Sequence, residues 1–197
     1  MVTKRCFDLL VGSLMLLLLL PVLFLCMLAV WLDSGSPVFF TQARLGLNGR
    51  LFNMLKFRSM HVNSADLRNP DGTTYNSSGD LRVTRVGRWL RKSSIDEFPQ
   101  LINVVRGDMS IVGPRPELPD GLKHYRKSDH LRLTVRPGIT GWAQIRGRNA
   151  ISIECRRDLD VFYVQHRTLW MDIQIILLTI PTLLSGQGIY VENSQQN

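Results

Sequence analysis

The chain has 197 residues, 45% of them hydrophobic and 20% charged, with a formal net charge of +8 and three cysteines. That length supports one domain with a proper core plus one appended element. Three cysteines, two of them (Cys6 and Cys26) in or beside an apolar run, argue against a disulfide framework and for a reducing, cytosol-facing setting. The basic balance favours polyanionic partners, whether nucleic acid, an anionic membrane surface or phosphorylated substrates, without choosing among them.

Leu9 to Leu32 contains no charged residue, and a straight helix of that run is about 36 Å long, enough for a bilayer core of about 30 Å. Pro21 stands at its middle and predicts a kink, giving two half-helices that reach the bilayer centre and return. Lys4 and Arg5 flank one end and Arg44 and Arg50 follow the other, so the positive-inside rule gives no vote for crossing. A kinked single-pass helix competes with the re-entrant reading. A cleaved signal peptide fits less well, because its apolar region is shorter, about 7–15 residues.

Beyond Ser36 the texture changes. Pro37–Thr41 and Leu51–Leu55 read as strands around an Asn48-Gly49 turn signal. Residues 62–80 read as a polar surface loop, and Arg82–Arg106 carries helical periodicity interrupted near Pro99. Gly113–Pro116 and Arg136–Gly138 are irregular. Residues 158–184 read as one helix, whose Trp170–Leu184 part suits a membrane interface; the tail after Val191 is polar. The expected organisation is an anchor over 1–35, an α-rich α+β domain with a small β-hairpin over 36–191, and a tail over 192–197.

No Walker loop, dinucleotide fingerprint or Cys/His cluster is present. The four histidines are scattered, which leaves carboxylates and arginines. Pro99 fits a first helical turn, so Asp96 and Glu97 fall at or just before a helix N-terminus. One reading is structural: acids there complement the dipole, and Ser94 with Glu97 matches a capping box. The other is chemical: adjacent carboxylates can share Mg²⁺ with a diphosphate. Arg85, Arg88 and Arg91 or Lys92 recur at helical spacing as one cationic face, either solvated or phosphate-binding. Arg115, between Pro114 and Pro116, starts from a fixed backbone suited to gripping a phosphate, or simply belongs to a Pro-rich turn. Arg136 to Asn149 mixes turn glycines, Trp142 and three arginines; spacing does not decide between a nucleotide contact and a shaped loop.

These motifs together resemble those of the bacterial sugar transferases, in particular the small monotopic phosphoglycosyl transferases. The match covers Phe39–Gly46, Lys56-Phe57-Arg58-Ser59-Met60, Ser94-Ile95-Asp96-Glu97, Gly107–Pro116 and Arg136–Asn149, in the family's order. The resemblance implies a UDP-sugar:polyprenyl-phosphate sugar-1-phosphate transferase that releases UMP by a ping-pong scheme. Asp96 would be the nucleophile, and Glu97 a metal ligand or base with Mg²⁺. Lys56, Arg58, Arg88, Arg91 and Arg115 would bind substrate phosphates, and Arg136, Gln144 and Arg148 would lie in the nucleotide or sugar region. It further implies a seat on the cytoplasmic face of the bacterial inner membrane among phospholipids, with polyprenyl phosphate and not nucleic acid as partner; a homodimer stays open. Where the family's re-entrant helix breaks at Ser-Pro, this chain has Leu20-Pro21. Larger members carry extra transmembrane helices ahead of this domain, for which these residues leave no room. A membrane-tethered anion-binding protein and a metal-dependent phosphodiesterase are the competing readings.

Overall fold

The computed structural model describes residues 2–69, 75, 77, 79–147 and 150–185. Its first element, α1, runs from Val2 to Ser34, about 50 Å at 1.5 Å per residue. Among the described residues it is the one helix long and apolar enough, by length and composition, to cross a membrane. Pro21 lies inside this helix on its exposed side and does not end it, so the expected division into two halves is not a termination. Proline removes a single amide donor, a loss that long flanking turns can absorb.

One stripe of α1 (Asp8, Gly12, Leu23, Cys26 and Val30) is buried against the rest of the molecule. Leu23, Cys26 and Val30 form a small core with Phe57 and Leu90, where each large apolar side chain contributes about 1.5–3 kcal/mol. The outer face stays apolar and exposed, including Leu10, Leu17, Leu18, Phe24 and Leu25. Both ends of α1 are fastened by polar contacts. Near the start, Arg5 donates to the carbonyls of Val104 and Val105 at 2.7 and 2.9 Å, and Asp8 accepts from Ser110 Oγ at 2.9 Å. Near the end, Asp33 accepts from Val86 N at 3.0 Å, while Arg58 Nη2 donates to the carbonyls of Ser34 and Gly35, each at 2.8 Å. A removable leader would take part of the core with it.

Strands β1 (Phe39–Leu45) and β2 (Leu51–Phe57) form the expected antiparallel hairpin, with Ala43 opposite Asn53. Asn48 and Gly49 turn it at φ 55° and 73°, the left-handed pair that Asn-Gly supplies with little strain. A second pair, not expected from the sequence, is parallel: β3 (Ser110–Val112) beside β4 (Gly138–Thr140). Helices α2 (Arg85–Ser93) and α3 (Gln100–Arg106) are joined by a 3₁₀ turn over Ile95–Glu97. Helix α4 spans Trp142–Arg146. The single helix expected over 158–184 is two, α5 (Ile153–His166) and α6 (Leu169–Ser185). Thr168 explains the break, because its Oγ1 accepts from Met171 N at 3.1 Å and starts a new helix.

The main core gathers Met54, Val104, Met109, Ile111, Val112, Tyr163, Val164 and Ile175. On α6, Ile175 faces this core while Trp170, Leu177 and Ile180 remain exposed. Much of the loop expected over 62–80 and the tail after Val191 lie outside the described residues.

Candidate active site

The carboxylate pair is positioned by α2. Thr84 caps this helix, its Oγ1 accepting from Gly87 N at 2.9 Å. Gly87 rests directly on Ser59: a Cβ there would lie 2.1 Å from the Ser59 carbonyl oxygen, so no other residue fits without moving the helix. From the same helix, Arg91 Nε donates to Ser59 Oγ at 2.9 Å. Ser94 ends α2 in the left-handed conformation, φ 57°, which turns the chain into the 3₁₀ segment carrying Asp96 and Glu97. Pro99 then stands at the N-cap of α3, as its missing amide predicts.

The capping-box reading does not hold. Ser94 makes no side-chain cap bond, and the Glu97 carboxylate faces away from it toward two cations. Lys56 Nζ, from β2, donates to Glu97 Oε1 at 2.6 Å, and Arg115 Nη2 donates to the same oxygen at 3.1 Å. Asp96 is buried beside this pair, within the electrostatic reach of Lys56, Arg91 and Arg115. Burial pushes Asp96 up to about 6, with the Glu97 charge adding to the rise and Lys56, Arg91 and Arg115 opposing it. Burial also pushes Glu97 up, but Arg115 and Lys56 together outweigh it and hold Glu97 well below the usual carboxylate range. Two adjacent acids are thereby driven apart, one ionised throughout and one poised near neutrality, the pattern of a site with divided roles.

The structure thus brings Asp96, Glu97, Lys56, Arg91 and Arg115 together. The other predicted residues have these surroundings. Arg58 is buried and holds the C-terminus of α1. Arg88 lies on the exposed face of α2. Arg136 Nε donates to the Gly107 carbonyl at 2.7 Å, and Gln144 lies on α4 beside Gly141. Arg148 falls outside the described residues.

Two residues at the site were not singled out from sequence. Arg44 on β1 lines a small cleft with Met54, Gln100, Arg115 and Pro116. Burial, then the neighbouring Arg115 charge, lowers Arg44 to about 10. Asn103 on α3 is fully buried and ties α3 to β2: its Oδ1 accepts from Leu55 N and its Nδ2 donates to Asn53 O, both at 2.9 Å. Only Arg44 carried a signal, as an arginine inside a quoted motif.

No cluster of three or more His, Cys, Asp or Glu side chains occurs among the described residues. The adjacent hard oxygens of Asp96 and Glu97 still suit Mg²⁺, which takes one or two protein carboxylates and fills its shell with phosphate oxygens and water.

Comparisons with known proteins give the family of the chain. The family described as bacterial sugar transferase matches residues 1–186. The undecaprenyl-phosphate glucose phosphotransferase of Komagataeibacter xylinus is 49% identical over 191 residues, covering 91% of this chain and 35% of that protein. The uncharacterized sugar transferase EpsL of Bacillus subtilis is 45% identical over 193 residues, 98% of this chain and 93% of its own. The UDP-glucose:undecaprenyl-phosphate glucose-1-phosphate transferase of Caulobacter vibrioides is 43% identical over 195 residues, 95% and 72% respectively. The chain therefore spans about a third of one relative and nearly all of another. With its family's match running almost end to end and its carboxylate pair seated among lysine and arginines, the chain belongs to the bacterial sugar transferases.

Proposed function

We propose that this protein transfers a sugar 1-phosphate from a UDP-sugar to undecaprenyl phosphate and releases UMP, the first membrane step in building a glycoconjugate such as an exopolysaccharide. The observation that carries the reading is the carboxylate pair itself, Asp96 buried beside Glu97, whose Oε1 accepts from Lys56 and Arg115 at 2.6 and 3.1 Å. The names of the relatives supply the substrate classes.

In the first step an oxygen of ionised Asp96 attacks the β-phosphorus. The bond from that phosphorus to the bridging oxygen breaks, and UMP leaves with the electron pair. The sugar phosphate is now esterified to Asp96. In the second step an oxygen of undecaprenyl phosphate attacks the same phosphorus and returns Asp96 as a carboxylate. A raised carboxylate is the better nucleophile, and at neutral pH it is still mostly ionised. Arg115, Arg91 and Lys56 offset phosphate charge, with arginine suited to bidentate contact. Asp96 and Glu97 would hold Mg²⁺ with the diphosphate oxygens, and the ion would supply further charge neutralisation there.

The membrane seat belongs to the same proposal. Polar contacts fasten both ends of α1 to one domain, so a helix crossing the bilayer would separate partners that are bonded. Both ends then lie on one side of the bilayer, which in this proposal is the cytoplasmic face of the inner membrane. The uncharged outer face of α1 enters the phospholipid, and the exposed apolar side of α6 lies at the interface.

The test is UMP release by the protein in lipid vesicles with Mg²⁺, undecaprenyl phosphate and a panel of UDP-sugars, beside Asp96→Asn. Release that needs lipid acceptor and Asp96 supports the reading. Equal release without acceptor indicates a phosphodiesterase, and silence with salt-sensitive anion binding indicates a tethered binding protein.

A further inference from the structure

The segment Pro114-Arg115-Pro116-Glu117 is held by its own carbonyls. Prolines have no amide to donate, so the hydrogen bonding of this stretch runs mainly through oxygens. Four successive oxygens each meet a different donor. Pro114 O accepts from Gly138 N at 2.9 Å and Arg115 O from Arg132 Nη2 at 3.1 Å. Pro116 O accepts from Arg44 Nη1 at 3.3 Å and Glu117 O from Leu45 N at 2.9 Å. The donors come from β4, from the 3₁₀ stretch Lys127–Thr134 and from β1.

Arg132 is the side-chain donor that ties the Arg115 carbonyl to the C-terminal half of the domain. It is buried, and its five N–H groups are fully assigned. Nε and Nη2 donate to Asp160 Oδ2 at 3.1 and 2.9 Å, Nη1 to Glu117 Oε1 and the Tyr125 hydroxyl at 2.6 and 2.7 Å, and Nη2 also to Arg115 O. Arg157 completes the cluster, donating from Nη2 to Glu117 Oε2 at 3.0 Å. Both guanidiniums lie over the Tyr125 ring, 5.4 and 4.9 Å from its centroid. Two arginines facing Glu117 and Asp160 leave the cluster neutral, so its burial leaves no charge unpaired.

We infer that Arg132 is a positioning residue for the transfer reaction: by fixing the Arg115 carbonyl it sets the guanidinium that engages Glu97. The inference rests on the proposed function, in which Arg115 meets substrate phosphate. Lysine at 132 keeps the charge but has one nitrogen in place of a planar fork. It cannot serve Asp160, Glu117, Tyr125 and the Arg115 carbonyl together.

The experiment uses the full chain in lipid vesicles and has two readouts. The first is deuterium uptake at Gly138 and Leu45, whose amides donate to the Pro114 and Glu117 carbonyls. Uptake there rises in Arg132→Lys and Asp160→Asn while uptake across α3 stays unchanged; no local rise overturns the clamp. The second is a double-mutant cycle on UMP release from UDP-glucose with undecaprenyl phosphate. Arg132→Lys lowers kcat/KM about tenfold, the worth of one good hydrogen bond, and adds no further loss to Arg115→Lys. Additive losses overturn the inference, because a residue acting only through Arg115 has nothing left to remove. If Arg132→Lys does not fold, Asp160→Asn carries both readouts, and the same results support or overturn the clamp. A wild-type protein silent with every UDP-sugar counts against the proposed reaction instead, and the exchange readout still decides the clamp.

Discussion

Asn103→Leu isolates how the fold holds Lys56 against Glu97. Asn103 is fully buried, and its amide treats β2 as a neighbouring strand would, accepting from Leu55 N and donating to Asn53 O. The next residue along β2 is Lys56. Leucine matches asparagine in the number and branching of its heavy atoms, but it leaves one amide and one carbonyl of β2 without their partner. Each orphaned buried group costs about 1–3 kcal/mol, and both are only partly buried, so the loss is about 2–4 kcal/mol. For a chain of this size that lowers the unfolding midpoint by about 4–16 °C, a large share of a total stability of about 5–15 kcal/mol. The assay is thermal unfolding in mild detergent followed by tryptophan fluorescence, with UMP release measured well below the mutant's midpoint. Turnover there falls about tenfold, because Lys56 is no longer held in register. A shift under about 2 °C, at the foot of the range expected for even 1 kcal/mol, or full turnover in a clearly destabilised mutant, would refute the reasoning. Asn103→Asp is the companion: it keeps the acceptor for Leu55 but turns an oxygen toward Asn53 O and Asp108, and it is at least as damaging.

Gly87→Ala places a Cβ 2.1 Å from the Ser59 carbonyl oxygen; α2 must lift, at about 1–3 kcal/mol, and Arg91 loses Ser59, which a raised KM for the UDP-sugar reports. Attack requires ionised Asp96, held up to about 6 by burial, so kcat/KM rises as pH climbs through about 6 and falls tenfold per unit below it. A rate flat between about pH 7 and 5 would contradict that assignment. Chelation with EDTA abolishes UMP release and added Mg²⁺ restores it; turnover indifferent to EDTA would remove the metal from the scheme.

Local signals were legible where the chain decides locally. Asn48-Gly49 specified its hairpin because both positions need the left-handed conformation, and the uncharged run from Leu9 to Leu32 specified α1 by composition alone. Pro99 placed Asp96 and Glu97 just before a helix. What the spacing arguments could not supply is the partner of Glu97. Lys56 is 41 positions away, and a capping serine three residues upstream offered a nearer and simpler answer. The boundary between α5 and α6 was hidden for a different reason: Gln165-His166-Arg167-Thr168 holds neither proline nor glycine, and a single threonine hydroxyl sets the break. Arg132, Glu117 and Asp160 carry no motif, since their pairing depends on three distant segments converging.

The fastening of α1 has a consequence for how the protein is made. Lys4 pairs with Asp8 at 3.1 Å and with Asp172 at 2.9 Å, and Asp8 also receives Ser110. During synthesis α1 emerges long before Ser110 and Asp172, so for most of that time its lysine and aspartate have no distant partners. The helix therefore docks onto its own domain late, through contacts of high sequence separation that form slowly. Because Arg5 donates to the carbonyls of Val104 and Val105 at the far end of α3, the same late docking completes the helix that follows the 3₁₀ turn carrying Asp96 and Glu97.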